Sequence, residues 1–260
     1  MAFPGLALDP ARPLRLWHGP DSLTIAIVSI AWLRALADTT RRDLVHRHLD
    51  AADAARNATL RTAKRQHEWL AGRLSIKHSI AAHMLRTAGT SLTPREIRVG
   101  AIGTGIRSGQ LLAGVPATVS LSHSADFAVA ACGSGPVGVD VELVRAIAPP
   151  LAELLRADDQ RVHDGRVHDG RGAADGTGGL RDMPLSLRWS CKEAVLKCYG
   201  VGLRVDARQV QLVSWRADGE FGWTPGPELL RLLPAADPAR LRSWARPLNG
   251  YSLALTWTPL

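Results

Sequence analysis

The chain is poor in cysteine and lacks any long apolar run. Its three cysteines, Cys132, Cys191 and Cys198, are too few and too irregularly spaced for a disulfide framework or a zinc knuckle, which favours a reducing compartment. The run TIAIVSIAWL from Thr24 falls well short of the roughly 20 apolar residues of a membrane span. The N-terminal segment MAFPGLALDPARPLRLW has no apolar core long enough for a signal peptide. The sequence therefore predicts a soluble, cytoplasmic protein.

Aromatic residues are also scarce, at 5% of the composition. Most are tryptophans that stand singly within apolar segments, as core residues do, and no known nucleic-acid-binding motif is present. The formal net charge of +8 favours anionic partners: nucleic acid, a membrane surface, a phosphorylated small molecule or an acidic protein. A basic nucleic-acid-binding module would explain this charge, but the tryptophan pattern argues against it.

Hydrophobic residues make up 46% of the 260 residues, enough for a core in one domain or two small lobes. In the first half, residues 23–32 read as a buried strand and residues 50–85 as two helices or one broken helix. Residues 95–102 alternate like a strand. Residues 117–133 predict two strands around a polar turn at 122–126.

The second half repeats this order. Residues 138–143 predict a strand, 188–200 a helix ended by Gly200, 208–215 a strand, and 242–257 two strands about a turn. The repetition predicts two similar α+β lobes, and a site between lobes is a common arrangement.

One segment departs from this order. Residues 161–179 contain the unit RVHDG twice, followed by glycines and no apolar period. The two His-Asp pairs could be a metal site, but a tandem duplication in a flexible loop explains them better, because insertions in loops cost little.

Two carboxylates in GVDVEL, Asp140 and Glu142, lie on one face of the predicted strand, about 7 Å apart along the backbone. An edge strand with one face in water would explain them without any function. If both are to stay ionised at close range they need a cation, and Mg²⁺ prefers carboxylate, water and phosphate oxygens. The pair is therefore a candidate Mg²⁺ site.

Two further motifs carry polar chemistry. In WSCKEAVLK, Glu193 and Lys197 share a helix face while Lys192 lies off that line, which fits either an ordinary surface pair or a unit for metal and phosphate. In SLSHS, predicted to lie in the turn, Ser122 and His123 offer donors suited to a phosphate. A Ser-His-Asp hydrolase using Asp126 is disfavoured, because adjacent turn residues cannot easily form a triad and no G-x-S-x-G elbow is present.

SLSHS, GVDVE and WSCKEAVLK, in this order, resemble the 4′-phosphopantetheinyl transferase superfamily, and specifically its surfactin-type, double-lobed members. The segment RQHEWLAGRLSIK, residues 65–77, is similar to the family's N-lobe helix, and the resemblance spans roughly residues 50–215. It implies an α+β fold of two pseudo-symmetric lobes, each a small, mostly antiparallel sheet packed with a long helix. We place the lobes at residues 15–134 and 135–260.

The resemblance also implies an activity. Family members transfer the phosphopantetheine arm of coenzyme A to a serine of an acyl or peptidyl carrier protein, with Mg²⁺, and release adenosine 3′,5′-bisphosphate. It implies a monomer, and the positive net charge favours an acidic carrier protein. The carrier could serve fatty acid, polyketide, nonribosomal peptide or siderophore assembly, and we expect neither nucleic acid nor a membrane as partner. A different Mg²⁺-dependent phosphohydrolase would explain the acids but not the Ser-His motif or the Lys-Glu-Ala helix.

The catalytic and metal residues implied by the resemblance are Asp140, Glu142, Glu193 and Lys197. Asp140 and Glu193 match the direct Mg²⁺ ligands, and Glu142 matches a third ligand or a residue that holds metal-bound water. Lys197 matches the lysine that neutralises or protonates the leaving phosphate. The serine proton is expected to pass either to a carboxylate, for which Glu193 is the candidate, or to a metal-bound water.

The residues implied to bind coenzyme A are Ser122, His123, Arg73 and Lys192. Ser122 and His123 match groups that hold its phosphates, Arg73 matches the basic wall near the nucleotide, and Lys192 matches the lysine of the Lys-Glu-Ala motif. The chain departs from the pattern at residues 108–111, SGQL, where many relatives carry Gly-Lys-Pro, and Arg107 is a candidate substitute for that lysine.

Overall fold

The computed structural model of the chain describes residues 3–163 and 179–259, with residues 159–163 described by their backbone alone. The strands are β1 (Leu14–His18), β2 (Thr24–Ser29), β3 (Val99–Ala101), β4 (Leu111–Ala113), β5 (Thr118–Ser124), β6 (Phe127–Gly133), β7 (Val137–Leu143), β8 (Val210–Trp215), β9 (Phe221–Pro225), β10 (Arg242–Leu248) and β11 (Tyr251–Trp257). The helices are α1 (Ile30–Ala35), α2 (Asp38–His48), α3 (Ala51–Ala58), α4 (Ala63–Ala88), α5 (Pro149–His163), α6 (Leu185–Cys198) and α7 (Pro227–Leu232).

Two antiparallel sheets form the centre of the fold. The first sheet has the order β1-β2-β6-β5 and the second has the order β10-β11-β7, and the hairpins β3-β4 and β8-β9 form two small ribbons. Helix α4 packs on β2 and β6, and helix α6 packs on β7 and β11. The predicted fold class, α+β with small antiparallel sheets packed with long helices, is confirmed.

The same order of elements occurs twice along the chain. A strand (β2 or β7) leads through helices to a long helix (α4 or α6), then to a hairpin, and then to two paired strands. The strand orders β2-β6-β5 and β7-β11-β10 correspond one to one. The division into lobes at residues 134 and 135 stays a prediction.

The apolar core between the two sheets also takes in the N-terminal segment. Ile25, Val129 and Leu253 are buried in this cluster, and Phe3 joins it from outside either sheet. The ring of Phe3 lies 4.6 Å from that of Trp244, centroid to centroid. The two sheets are therefore joined through packed side chains and not only through the linker between β6 and β7.

Local sequence signals explain where several elements begin and end. The Thr62 side chain accepts a hydrogen bond from the Arg65 backbone and starts α4, which ends at Gly89 in the left-handed region. Gly200, at φ +75°, follows α6 as predicted. The turn between β10 and β11 has Asn249 and Gly250 at positive φ, the conformation that a tight hairpin requires.

Three predicted elements differ from the structure. The strand predicted over 23–32 ends at Ser29, because the Ser29 hydroxyl caps helix α1. Of the strand predicted over 95–102, only Val99–Ala101 is extended. The SLSHS segment lies in β5 rather than in a turn, and the turn itself is formed by Ala125 and Asp126.

None of the described helices combines the length and the apolar composition that a membrane span requires. Helix α5 runs to His163, so the first residues of the predicted loop have helical backbone. The rest of the duplication lies outside the described residues.

Replacement of Phe3 by alanine should destabilise the protein by about 3 kcal/mol, because it removes a buried aromatic ring from the cluster between the sheets. Urea unfolding measures the change. The control is Leu85→Ala at an exposed position of α4, which should shift the free energy of unfolding by less than about 0.5 kcal/mol. Equal stability of Phe3→Ala and the wild type would contradict the role of the N-terminal segment.

Candidate functional site

The candidate site begins where the edge strands of the two sheets lie side by side. The Ser122 hydroxyl on β5 donates to Asp140 Oδ1 on β7 at 2.9 Å, and the Ser124 hydroxyl donates to Glu142 Oε2 at 3.1 Å. The Leu143 backbone N–H in turn donates to Ser124 Oγ at 3.0 Å. Side chains therefore replace the backbone ladder between these two strands, and they hold both predicted carboxylates.

Helix α6 packs on the face of β7 and β11, and it comes closest to β7 at Gly138. A Cβ built on Gly138 would lie 1.9 Å from the Ala194 carbonyl oxygen and 2.6 Å from the Cys198 backbone nitrogen. Only glycine permits this contact, which brings the helix backbone directly against the strand. Glu193 and Lys197, one helical turn apart, consequently face the strand position of Asp140.

Lys197 and Asp140 form the central pair of the site. Lys197 Nζ lies 2.7 Å from Asp140 Oδ1, and Asp140 is 2% exposed. The second oxygen, Asp140 Oδ2, and Glu193 Oε1 are both buried and have no hydrogen-bond donor among the described residues. Burying a carboxylate oxygen without a hydrogen-bond donor costs free energy, so an additional cation beside these oxygens would stabilise the cluster.

The acid–base properties of the cluster follow from this imbalance. Burial raises the pKa of Glu193, Lys197 opposes this rise, and the charges of Asp140 and Glu142 add to it, which together gives a pKa of about 7. Burial and the charge of Asp140 also raise the pKa of Glu142. Three carboxylates lie near the ammonium group of Lys197, and Glu193, which has the largest rise in pKa, keeps its proton up to about pH 7.

The carboxylates do not form a ready-made ligand set. Across residues 3–163 and 179–259, no three His, Cys, Asp or Glu side chains are grouped so that they could hold a metal ion. Lys197 takes the position beside Asp140 Oδ1. The assignment of Asp140, Glu142 and Glu193 as metal ligands stays a prediction, which the unpartnered oxygens support.

A cavity of about 360 Å³ opens beside Lys197. One wall comes from β5 and the adjoining β4, and the opposite wall comes from the residues after α6. The Arg204 guanidinium reaches toward the backbone of Gly109, and the Gln110 side chain packs against Gly200, so residues from both halves of the chain meet at the cavity. Arg204, and not the predicted Arg107, is the arginine that lines it.

A second cavity of about 290 Å³ lies on the other side of Leu111 and Leu121, which line both. Its walls come from α3, α4 and β5. The structure brings the predicted residues Arg73 and His123 together here, with two further arginines, Arg56 and Arg65. The Ser122 hydroxyl donates to Asp140, and Ser122 is not among the residues that line either cavity, so its contact with a phosphate stays a prediction.

Lys192 is not brought together with the other predicted site residues. Its side chain is fully buried, pairs with Asp158 at 2.7 Å and donates to the Val210 carbonyl oxygen. Because Lys192 precedes Glu193 on the helix, it points about 100° away from it, into the packing between α5, α6 and β8. A contact to coenzyme A through this residue would need it to leave these partners.

Several residues of the site were missed from the sequence. Ser120 accepts from the Val139 backbone N–H at 3.1 Å, and with Ser122 and Ser124 it forms an alternating row along β5. Polar residues at every second position of SLSHS match the carboxylates at every second position of GVDVEL. This shared period of two could have predicted that the two segments are neighbouring strands. Arg56 carried no comparable signal, because basic residues are common on exposed helix faces.

Comparison with known proteins bears on this geometry. Residues 136–256 match the model of the 4′-phosphopantetheinyl transferase superfamily. The matched segment is just under half of the chain and contains Asp140, Glu142, Glu193 and Lys197. The match indicates a transferase.

The other two comparisons add less. No curated protein matches the chain. Among solved structures, a holo-(acyl-carrier-protein) synthase from Bacillus anthracis in complex with CoA (3′,5′-ADP) is 21% identical, with 42% of this chain and 91% of that chain covered and a TM-score of 0.33. A structural similarity of this size supports no statement about activity.

Replacement of Gly138 by alanine should separate α6 from β7, because the added methyl group would overlap the helix backbone. We expect a loss of about 1–3 kcal/mol in stability and loss of any activity that needs Lys197 beside Asp140. Urea unfolding and activity measurements test this. The matched control is Gly100→Ala, where an added Cβ meets nothing within 4 Å; similar effects at both glycines would refute the close-contact explanation.

Protonation of Glu193 should make the stability of the metal-free protein depend on pH. Because the native state binds this proton more tightly than the unfolded chain does, the free energy of unfolding falls as pH rises from 4.5 to about 7. The shift is worth at most roughly 3 kcal/mol. Histidines with lowered pKa values, such as His78 and His83, act in the opposite direction in an overlapping range.

The difference between the wild type and Glu193→Gln isolates the contribution of Glu193. Chemical unfolding at several pH values in a chelating buffer should show the variant gaining stability relative to the wild type as pH rises from 5 to 8. Parallel pH profiles for the two proteins would contradict the raised pKa.

Proposed function

We propose that the protein is a phosphopantetheinyl transferase that moves the 4′-phosphopantetheine arm of coenzyme A to a serine hydroxyl of a carrier protein. The observation that carries this proposal is the cluster of Asp140, Glu193 and Lys197, whose lysine lines the larger of two cavities with basic residues in their walls. The family match covers every residue of this cluster. The resemblance to the surfactin-type, double-lobed members rests on the sequence motifs and on the repeated order of elements.

The residues present fit a divalent cation. Asp140 and Glu193 each have a buried carboxylate oxygen without a donor among the described residues, and carboxylate oxygens are the ligands that Mg²⁺ prefers. Asp140 and Glu193 would supply these oxygens, and Glu142 stays the third predicted ligand, since the three side chains are not grouped as a ligand set in the described part of the chain. When bound, Mg²⁺ would neutralise charge on the phosphate oxygens of the substrate.

The chain's own residues supply acid–base chemistry and positioning. Glu193 is the candidate acceptor for the serine proton: its pKa is about 7 in the metal-free protein, and a bound Mg²⁺ would lower it and keep the carboxylate ionised at neutral pH. The serine oxygen forms a bond to the phosphorus of the phosphopantetheine phosphate, and the bond to the bridging oxygen breaks, which releases adenosine 3′,5′-bisphosphate. Lys197, which lines the larger cavity, is placed to stabilise the negative charge that develops on the leaving phosphate.

The two cavities are suited to an anionic substrate. The smaller one has Arg56, Arg65, Arg73 and His123 in its walls, and the larger one has Lys197 and Arg204. Cationic donors of this kind bind phosphate oxygens. The net charge of +8 favours an acidic carrier protein as the second substrate through faster encounter at low salt.

The decisive experiment incubates the protein with coenzyme A, Mg²⁺ and apo carrier proteins of several types and measures the carrier mass. We expect a gain of one phosphopantetheine that disappears when Mg²⁺ is chelated. Asp140→Asn and Glu193→Gln should each lower the rate by at least about a hundredfold, because they remove a metal ligand or the proton acceptor.

Glu228→Gln, at an exposed position of α7, is the matched control and should leave the rate unchanged. A carrier mass that stays constant for every carrier type would refute the transferase proposal. Release of inorganic phosphate without any change of carrier mass would instead indicate a phosphohydrolase.

A further inference from the structure

Helices α3 and α4 share a buried ionic network beside the smaller cavity. Asp53 on α3 is 5% exposed and bridges two cations of α4, with Oδ1 3.2 Å from Arg73 Nε and Oδ2 2.8 Å from Lys77 Nζ. Lys77 is fully buried, and it also contacts Asp50 Oδ2 at 3.0 Å and donates to the Ile97 carbonyl oxygen at 2.8 Å. The carboxylate of Asp53 is therefore fixed by a lysine that has no freedom to move.

Arg73 is held from two sides. The Asp53 carboxylate contacts its Nε edge, and the ring of Trp69, one turn earlier on α4, lies 5.1 Å from the guanidinium carbon. A guanidinium is planar, so one charged contact at its edge and one aromatic face together fix its orientation. Its Nη1 atom is buried and has no hydrogen-bond partner among the described residues.

The direction in which the arginine is held decides what it can bind. Arg73 lines the smaller cavity together with Arg56, Arg65 and His123. Among the described residues, Glu68 is the one carboxylate in that wall. Asp50 and Asp53 together balance the charges of Lys77 and Arg73, so the net positive charge of the cavity wall comes from Arg56 and Arg65, which outnumber the carboxylate of Glu68. An anion in the cavity would meet a guanidinium whose orientation is already set, which reduces the entropy lost on binding.

We propose that Asp53 is a positioning residue that holds the Arg73 guanidinium in the wall of the smaller cavity, where it binds a phosphate group of coenzyme A. This inference rests on the proposed function, because that function supplies the identity of the anion. Asp53 itself does not line the cavity, and its effect on the substrate passes through Arg73.

The test compares Asp53→Asn with Asp43→Asn, a matched control at an exposed position of α2. Asp53→Asn should raise the KM for coenzyme A and the Kd for adenosine 3′,5′-bisphosphate about tenfold, while kcat changes less than about twofold. Titration calorimetry measures the Kd, and thermal unfolding checks that the variant is folded. Asp53→Glu, which keeps the charge, should restore part of the affinity.

The second step separates positioning from simple destabilisation through Lys77. In an Arg73→Gln background, Asp53→Asn should still lower the Tm but should cause no further rise in either constant. If Asp53→Asn does not fold, Asp53→Glu takes its place: it shifts the carboxylate but keeps its charge, and it should raise both constants by less than tenfold, in the wild-type background only. Unchanged constants in a folded Asp53→Asn variant, or equal rises with and without Arg73, would overturn the proposal.

The failure of this inference can be distinguished from the failure of the proposed function. A wild type that modifies a carrier while Asp53→Asn keeps full affinity for coenzyme A would refute only the role of Asp53. A wild type that modifies no carrier would refute the transferase, whatever the variants do.

Discussion

The contact between Lys197 and Asp140 is the interaction on which the rest of the candidate site depends. A nearly buried carboxylate would be too costly to keep ionised without a partner, and Lys197 Nζ at 2.7 Å and the Ser122 hydroxyl at 2.9 Å meet that cost at one oxygen. The three residues come from α6, β7 and β5, so the pair forms only where both sheets and the helix meet. Gly138 makes the meeting possible, because any side chain there would keep the helix away from the strand.

Much of this arrangement is local and could be predicted from the sequence. The alternation of GVDVEL gives a strand with two carboxylates on one face, and the spacing of Glu193 and Lys197 gives one face of a helix. The position of SLSHS was predicted wrongly, since polar residues beside a turn resemble the turn itself. The serines of this segment instead form hydrogen bonds to carboxylates of β7, a strand of the other sheet.

The remaining features depend on contacts between distant residues, for which a single sequence carries no local signal. Lys192 stands beside Glu193 in the motif, yet its partner Asp158 lies on α5, so burial of the lysine could not be read from the motif. Phe3 precedes every strand and helix, but it packs against Trp244 near the other end of the chain. The same holds for Asp53, whose two cationic partners lie on the following helix.

The electrostatic balance of the site explains why these distant contacts matter together. Three carboxylates, Asp140, Glu142 and Glu193, face the ammonium of Lys197. Burial, together with the charges of the neighbouring carboxylates, raises the pKa of both glutamates. Lys197 also lines the larger cavity, so a phosphate bound there would compete with Asp140 for the same ammonium. Because that competition would leave Asp140 with less positive charge than it has now, an anionic substrate should bind well only together with an additional cation.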